Sequence, residues 1–143
     1  MKFHKFILTV LILCCLVANI VDGKKNKKGF YSMITISSLK NGTNCHGYVT
    51  NCRKRVMFDR GMRDCSGTCL VSERHNIPSN HSYCPHMSIL GTDNKVREAF
   101  INNVTESGCY KVSGNSDKFT LKEIKCPKKL PKLCGEPNWD HKI

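Results

Sequence analysis

Cysteine constrains this chain more than any other residue. Ten cysteines occur in 143 positions, and their placement divides them into two groups. Cys14 and Cys15 sit inside an apolar run from Phe6 to Ile20, interrupted only by Thr9 and Asn19. The other eight are Cys45, Cys52, Cys65, Cys69, Cys84, Cys109, Cys126 and Cys134. The apolar run follows the basic residues Lys2 and Lys5. Its length of about 15 residues suits a signal-peptide core and falls short of the ~20 that a membrane span needs. Val21-Asp22-Gly23 then offers permissive residues for cleavage after Gly23, with Ala18 as the alternative position. Cleavage discards the first two cysteines and leaves an even set of eight. In an exported chain that set reads as a disulfide framework.

Eight cysteines allow 105 pairings, and spacing alone does not choose among them. Their purpose is plainer. Residues 24–143 suit one domain, and aromatic residues make up only 8% of the chain, so the core is modest. Each bridge adds about 2–4 kcal/mol by restricting the unfolded state. The division expected is a signal peptide over 1–23, a basic arm with a first strand over 24–40, and a disulfide-stapled domain over 41–143.

The formal charge is +12, and the leader carries only Lys2, Lys5 and Asp22, so cleavage barely changes it. The basic residues cluster at Lys24 to Lys28, at Arg53-Lys54-Arg55 and from Lys122 to Lys132. Such a surplus serves solubility or draws the protein to an anionic partner. Arg53, Lys54, Arg55, Lys128, Lys129 and Lys132 are the candidate basic patch. No aromatic residue interleaves these clusters, which counts against single-stranded nucleic acid. Three N-glycosylation sequons start at Asn41, Asn80 and Asn103. Three in one exported domain point to a glycoprotein with those positions exposed.

Along the chain, Phe30 to Ser37 is rich in β-branched and aromatic residues and reads as a strand. Asn41-Gly42 signals a turn. Gly47 to Thr50, Arg55 to Asp59 and Cys69 to Ser72 are short candidate strands, with turns at Arg60-Gly61 and Ser66-Gly67. Glu73 to Ser82 is polar, contains Pro78 and reads as a loop. Thr92-Asp93 resembles a helix start, and Val96, Phe100, Ile101 and Val104 follow at helical spacing until Gly108. Phe119 to Cys126 reads as a strand, before a tail rich in lysine and proline. The fold expected is therefore α+β: a small disulfide-rich domain with a short antiparallel sheet and one main helix.

Signatures of chemistry are sparse. Cys65 and Cys69 are spaced too widely for a zinc knuckle and no second pair mirrors them, so neither a metal nor another cofactor is expected. There is no Gly-x-Ser-x-Gly nucleophile motif. A ribonuclease needs two acid–base groups and a cation for the phosphorane. His46, His75, His81, His86 and His141 are available beside Glu73 and Glu98, but their positions read as exposed loops. Leu90-Gly91-Thr92-Asp93 echoes a stretch of Kazal protease inhibitors, without the cysteine that should precede the glycine.

Eight cysteines, a basic charge and a leader give the chain the look of the small cysteine-rich secreted proteins of fungi, many of which are effectors or toxins. More narrowly, Asn44-Cys45-His46-Gly47 followed by Cys52, then Ser107-Gly108-Cys109, Ser113-Gly114 and a late strand, is similar to the calcium-channel-blocking killer toxins of smut-fungus viruses. The cysteine expected just after Cys109 is missing, and a Cys126 to Cys134 tail is added. The narrower likeness implies an α/β-sandwich and a basic surface acting on a membrane target. The function expected is that of a secreted, monomeric effector or toxin that binds a protein or anionic surface of another cell without catalysis. The alternatives are a ribonuclease-like hydrolase, a protease inhibitor or an antimicrobial protein.

Overall fold

The computed structural model describes residues 29–135 and 137–138. The expected leader, the basic arm over 24–28 and His141 lie outside the described residues. Nine strands form in chain order: β1 (Phe30–Leu39), β2 (Asn44–Thr50), β3 (Val56–Asp64), β4 (Gly67–Pro78), β5 (Cys84–Leu90), β6 (Val96–Phe100), β7 (Gly108–Gly114), β8 (Phe119–Ile124) and β9 (Pro137–Asn138). They make a four-stranded sheet ordered β4-β1-β7-β8 and a five-stranded sheet ordered β6-β5-β2-β3-β9. The inner faces of the two sheets share a core, as in other β-sandwiches.

The described residues contain no helix, which overturns the α+β expectation. The stretch read as helical is the β5–β6 hairpin followed by a loop. Gly91 N–H donates to Lys95 O, and Asn94 takes a positive φ of 59°. The Asp93 carboxylate accepts Lys95 N–H at 3.1 Å and binds Arg97 at 2.8 Å. Thr92-Asp93 is thus turn chemistry rather than an N-cap, two roles that the same short polar residues serve. Val96 and Phe100 also share a face in a strand, because a spacing of four satisfies period 2 as well as 3.6. Gly108, read as a helix stop, opens β7.

Two further expectations shift. The polar stretch from Glu73 to Pro78 continues β4, an edge strand with one face in solvent, and Pro78 is its last residue. Proline is tolerated at that position because no ladder partner needs its N–H. Arg60-Gly61 is a bulge inside β3 rather than a turn. The register slips opposite Gly47, Gly61 has φ +69°, and Asp59 Oδ1 accepts its N–H at 2.7 Å. The strands read at Phe30 to Ser37, Gly47 to Thr50, Arg55 to Asp59, Cys69 to Ser72 and Phe119 to Cys126 fall within or overlap β1, β2, β3, β4 and β8. The sheets are also not purely antiparallel: β1 runs parallel to β7.

The core has two parts. One gathers Leu39, Val71, Met87, Ile89 and Val112 around Cys45, Cys65, Cys69 and Cys134. The other holds Met33, Val49, Ile77, Tyr83 and Tyr110. Gly47 lets the sheets approach. A side chain there would meet Val71 Cγ1 at 2.8 Å, inside van der Waals contact. The buried hydroxyls are satisfied: Tyr83 donates to Glu106 O at 2.9 Å and lies 3.2 Å from the Tyr110 hydroxyl. Burial is the main cause that raises the pKa of both phenols above the usual value.

The eight cysteines stand as four bonded pairs: Cys45–Cys65, Cys52–Cys84, Cys69–Cys134 and Cys109–Cys126. Replacing Cys69 and Cys134 together by Ala should destabilise the protein more than replacing Cys109 and Cys126, because the loops they close span 65 and 17 positions. The chain-entropy difference is about 1 kcal/mol, on top of a typical loss of ~2–4 kcal/mol for either pair. Urea unfolding midpoints of the two double variants measure this, and equal midpoints would contradict it.

Candidate functional site

Alternation along β2 turns Cys45, Gly47 and Val49 inward and leaves His46, Tyr48 and Thr50 on the outer face of the five-stranded sheet. On β5 the same rule faces His86 and Ser88 outward, and on β6 it does so for Glu98 and Phe100. Register then aligns them. Tyr48 lies opposite His86, which lies opposite Phe100, while His46 lies opposite Ser88, which lies opposite Glu98. Asp59 on β3 pairs with Tyr48 from the other side. These residues line a groove of about 710 Å³, with Val56 and Lys54 at its rim.

Four rings form a row across three strands. Centroids are 5.0 Å apart for His46 and Tyr48, 4.6 Å for Tyr48 and His86, and 5.2 Å for His86 and Phe100. The last two pairs are stacked, with interplanar angles of 11° and 21°. Such cross-strand ring pairs hold adjacent strands together and fix the side-chain geometry.

Each imidazole has a carboxylate. His46 Nε2 lies 2.6 Å from Asp59 Oδ1, and His86 Nδ1 lies 2.7 Å from Glu98 Oε1. The Tyr48 hydroxyl donates to the same Glu98 oxygen. On the far side of the ring, His86 Nε2 is 3.0 Å from Thr50 Oγ1, which also accepts Cys52 N–H at 3.2 Å. That network assigns neutral His86 its proton on Nδ1, given to Glu98, while the Thr50 hydroxyl donates to Nε2. Tyr48 ionises late, its pKa pushed up to about 12, first by burial and then by the hydrogen bond to Glu98 and that group's charge.

The order Glu98–His86–Thr50 is that of a hydrolytic relay, carboxylate to imidazole to hydroxyl. Its end, however, is closed. Thr50 is 4% exposed and its oxygen is already held by Cys52 N–H. Both nitrogens of His86 are engaged within the protein. By contrast Phe100 is 56% and Val56 53% exposed at the groove walls.

Of the acid–base candidates read from sequence, His46, His86 and Glu98 come together here. Glu73 and His75 instead pair with each other at 2.8 Å on β4, and His81 is exposed in the loop after it. None of His46, His75 and His86 lies on a loop, so the exposed-loop reading holds for His81 alone among the described histidines. Tyr48, Thr50, Asp59 and Phe100 were not singled out from the sequence. The pattern that marks them is His-x-Tyr-x-Thr from 46 to 50 with His-x-Ser from 86 to 88, polar and aromatic residues two apart on strands.

The candidate basic patch divides. Arg53, Lys54 and Arg55 occupy the turn between β2 and β3, where Asn51 Oδ1 accepts the N–H groups of Arg53 and Arg55. Lys129 and Lys132 line a second groove over the four-stranded sheet, and Lys128 belongs to the same exposed segment. Asn41, Asn80 and Asn103 are all exposed and lie between strands. Among the described residues, no cluster of three or more His, Cys, Asp or Glu side chains could hold a metal, and no helix is long and apolar enough to cross a membrane.

No family model matches the chain, and comparison with curated proteins and with solved structures finds no match either.

Glu98→Gln should lower the Tyr48 pKa from about 12 toward 10, because it removes both the charge and the carboxylate acceptor that oppose phenolate formation. Burial remains, so the shift should be partial. Ultraviolet titration of tyrosinate, with Tyr48→Phe as the subtraction control, reads this out. An unchanged value would show that Glu98 does not hold the phenol.

Proposed function

We propose that the protein is secreted and acts by binding, without catalysis, a component of another cell, in the manner of the cysteine-rich effectors and toxins its sequence resembles. The contact surface is the groove on the five-stranded sheet. One observation carries the reading: the groove walls expose Phe100 and Val56, while both ring nitrogens of His86 and the Thr50 oxygen are engaged within the protein. An open recess with apolar walls and a few fixed polar edges is the ordinary form of a recognition site. Four disulfides support an oxidising destination.

A hydrolytic reading, ribonuclease above all, draws on the Glu98–His86–Thr50 order. It would need Thr50 to open to solvent and a cation at the reacting centre. Among the described residues, Lys54 at the rim is the only Lys or Arg that lines the groove.

Two measurements test the proposal. Labelled protein added to intact target cells should bind saturably. Phe100→Ser should weaken that binding about tenfold or more, as loss of an apolar anchor does, while moving the unfolding midpoint little, because the side chain is mostly exposed. RNA cleavage by the wild type that is lost in His86→Ala would replace this reading with the hydrolytic one.

The three sequons carry a further expectation. Protein secreted from eukaryotic cells should lose mass on treatment with an N-glycan-removing amidase. Single Asn→Gln changes at 41, 80 and 103 should each remove one step on a gel. A mass equal to that of the bare chain would refute glycosylation.

A further inference from the structure

The second groove lies on the outer face of the four-stranded sheet and has a different chemistry. A strap from Cys126 to Cys134 crosses this face. It is tied at one end to β7 by Cys109–Cys126 and at the other to β4 by Cys69–Cys134. Leu70 N–H donates to Lys132 O at 2.8 Å, and Cys134 N–H donates back to Leu70 O at 3.0 Å. Pro127 and Pro131 fix two further backbone angles. Ile36 and Ile124 of the sheet, with Leu130 of the strap itself, form an apolar floor, and the groove measures about 570 Å³.

Lysines surround it. Lys111, Lys129 and Lys132 line the groove. Lys122 lies directly opposite Lys111 in the β7–β8 ladder and so shares its face, and Lys128 is exposed on the strap. Among the described residues no lysine takes part in an ion pair. Among the described residues no carboxylate lines the groove. Glu123 alternates with Lys122 along β8 and acts on the buried phenols of Tyr83 and Tyr110 instead. The result is a set of free ammonium groups on a backbone that needs no ordering when a ligand arrives.

We infer that the strap and the strands beneath it bind a linear anionic polysaccharide, with Lys111, Lys129 and Lys132 contacting successive sulfate or carboxylate groups. Single-stranded nucleic acid is disfavoured because no aromatic side chain lines the groove to stack a base. A lipid bilayer is disfavoured because the floor is recessed. Only Leu133, 60% exposed, projects an aliphatic side chain beside these lysines, and stable insertion takes a larger apolar face. A polysaccharide needs neither and matches a set of point charges gathered on one stapled face.

The test uses the full secreted chain on immobilised heparin and immobilised polygalacturonate, which separate sulfate from carboxylate recognition. Retention by at least one, weakening with added salt, is expected. Lys111→Gln/Lys129→Gln/Lys132→Gln should lower affinity about tenfold. Arg53→Gln/Lys54→Gln/Arg55→Gln, which removes the same formal charge from the other sheet, should change it less than about threefold. Lys111→Arg/Lys129→Arg/Lys132→Arg keeps the charge and should keep binding, which guards against a folding artefact. Equal losses in the two Gln triples would overturn the inference in favour of diffuse net charge. Failure to bind either polysaccharide would overturn it too, and binding of anionic vesicles or RNA in their place would name the partner. Phe100→Ser should bind the polysaccharide normally, so failure here and failure of the sheet-groove reading are told apart.

Discussion

Two cystines sit in the core that the facing sheets share. Cys45, Cys65, Cys69 and Cys134 supply four of the nine buried residues in the larger core cluster, so the cystines act as hydrophobic filling as well as cross-links. A chain with so few aromatic residues, and with Tyr83 and Tyr110 buried at the other end, has little else to place there. The sheets close at Gly47, where the absence of a side chain admits Val71 from the facing sheet. In reduced form the same core would keep its small apolar thiols but lose its cross-links. The unfolded chain would then regain the loop entropy that four bridges remove.

That constraint shapes both surfaces. With the inner faces committed to cystine and aliphatic packing, alternation forces every second residue of β2, β5 and β6 onto the outer face. There His46, Tyr48, His86 and Phe100 stack, and Asp59 and Glu98 answer the imidazoles. Cys52–Cys84 ties the β2–β3 turn to the first residue of β5, so the Arg53-Lys54-Arg55 segment sits at the groove rim. The opposite surface owes its form to Cys109–Cys126 and Cys69–Cys134, which lay a lysine-rich tail across a sheet it would otherwise leave.

The strands rich in β-branched residues, β1 above all, were legible in the sequence because burial on two faces demands such residues. So was the disulfide framework as a set. The helix was misread because Val96 and Phe100 satisfy two periods at once, and because Thr92 and Asp93 serve turns as readily as N-caps. β5 was missed because Pro85 and His86 mask a strand that alternates Pro85, Met87 and Ile89 with His86 and Ser88. β7 was missed beside two glycines, Gly108 and Gly114. The groove lay hidden for a different reason. Its residues come from strands whose register is a tertiary property, and residues 40 or 50 positions apart, such as Tyr48 with His86 or Glu98, meet only once the sheet is ordered. The cysteine pairing has the same cause.

The two outer faces also divide the charge. In the first groove Asp59 and Glu98 stand against Lys54, and the imidazoles are held by the carboxylates, so the local balance is close to neutral. Across the molecule the lysines of the strap and of β7–β8 have no carboxylate partner. Part of the positive charge is therefore carried on the face turned away from the aromatic groove. On the two proposals, long-range attraction to a polyanion and short-range fit to a partner would be separate tasks on separate sheets. Salt would weaken the first over a Debye length of about 8 Å, while shape and apolar contact govern the second. A protein so divided can be held at a charged cell surface by one face and still present the other, unobstructed, to whatever it recognises there.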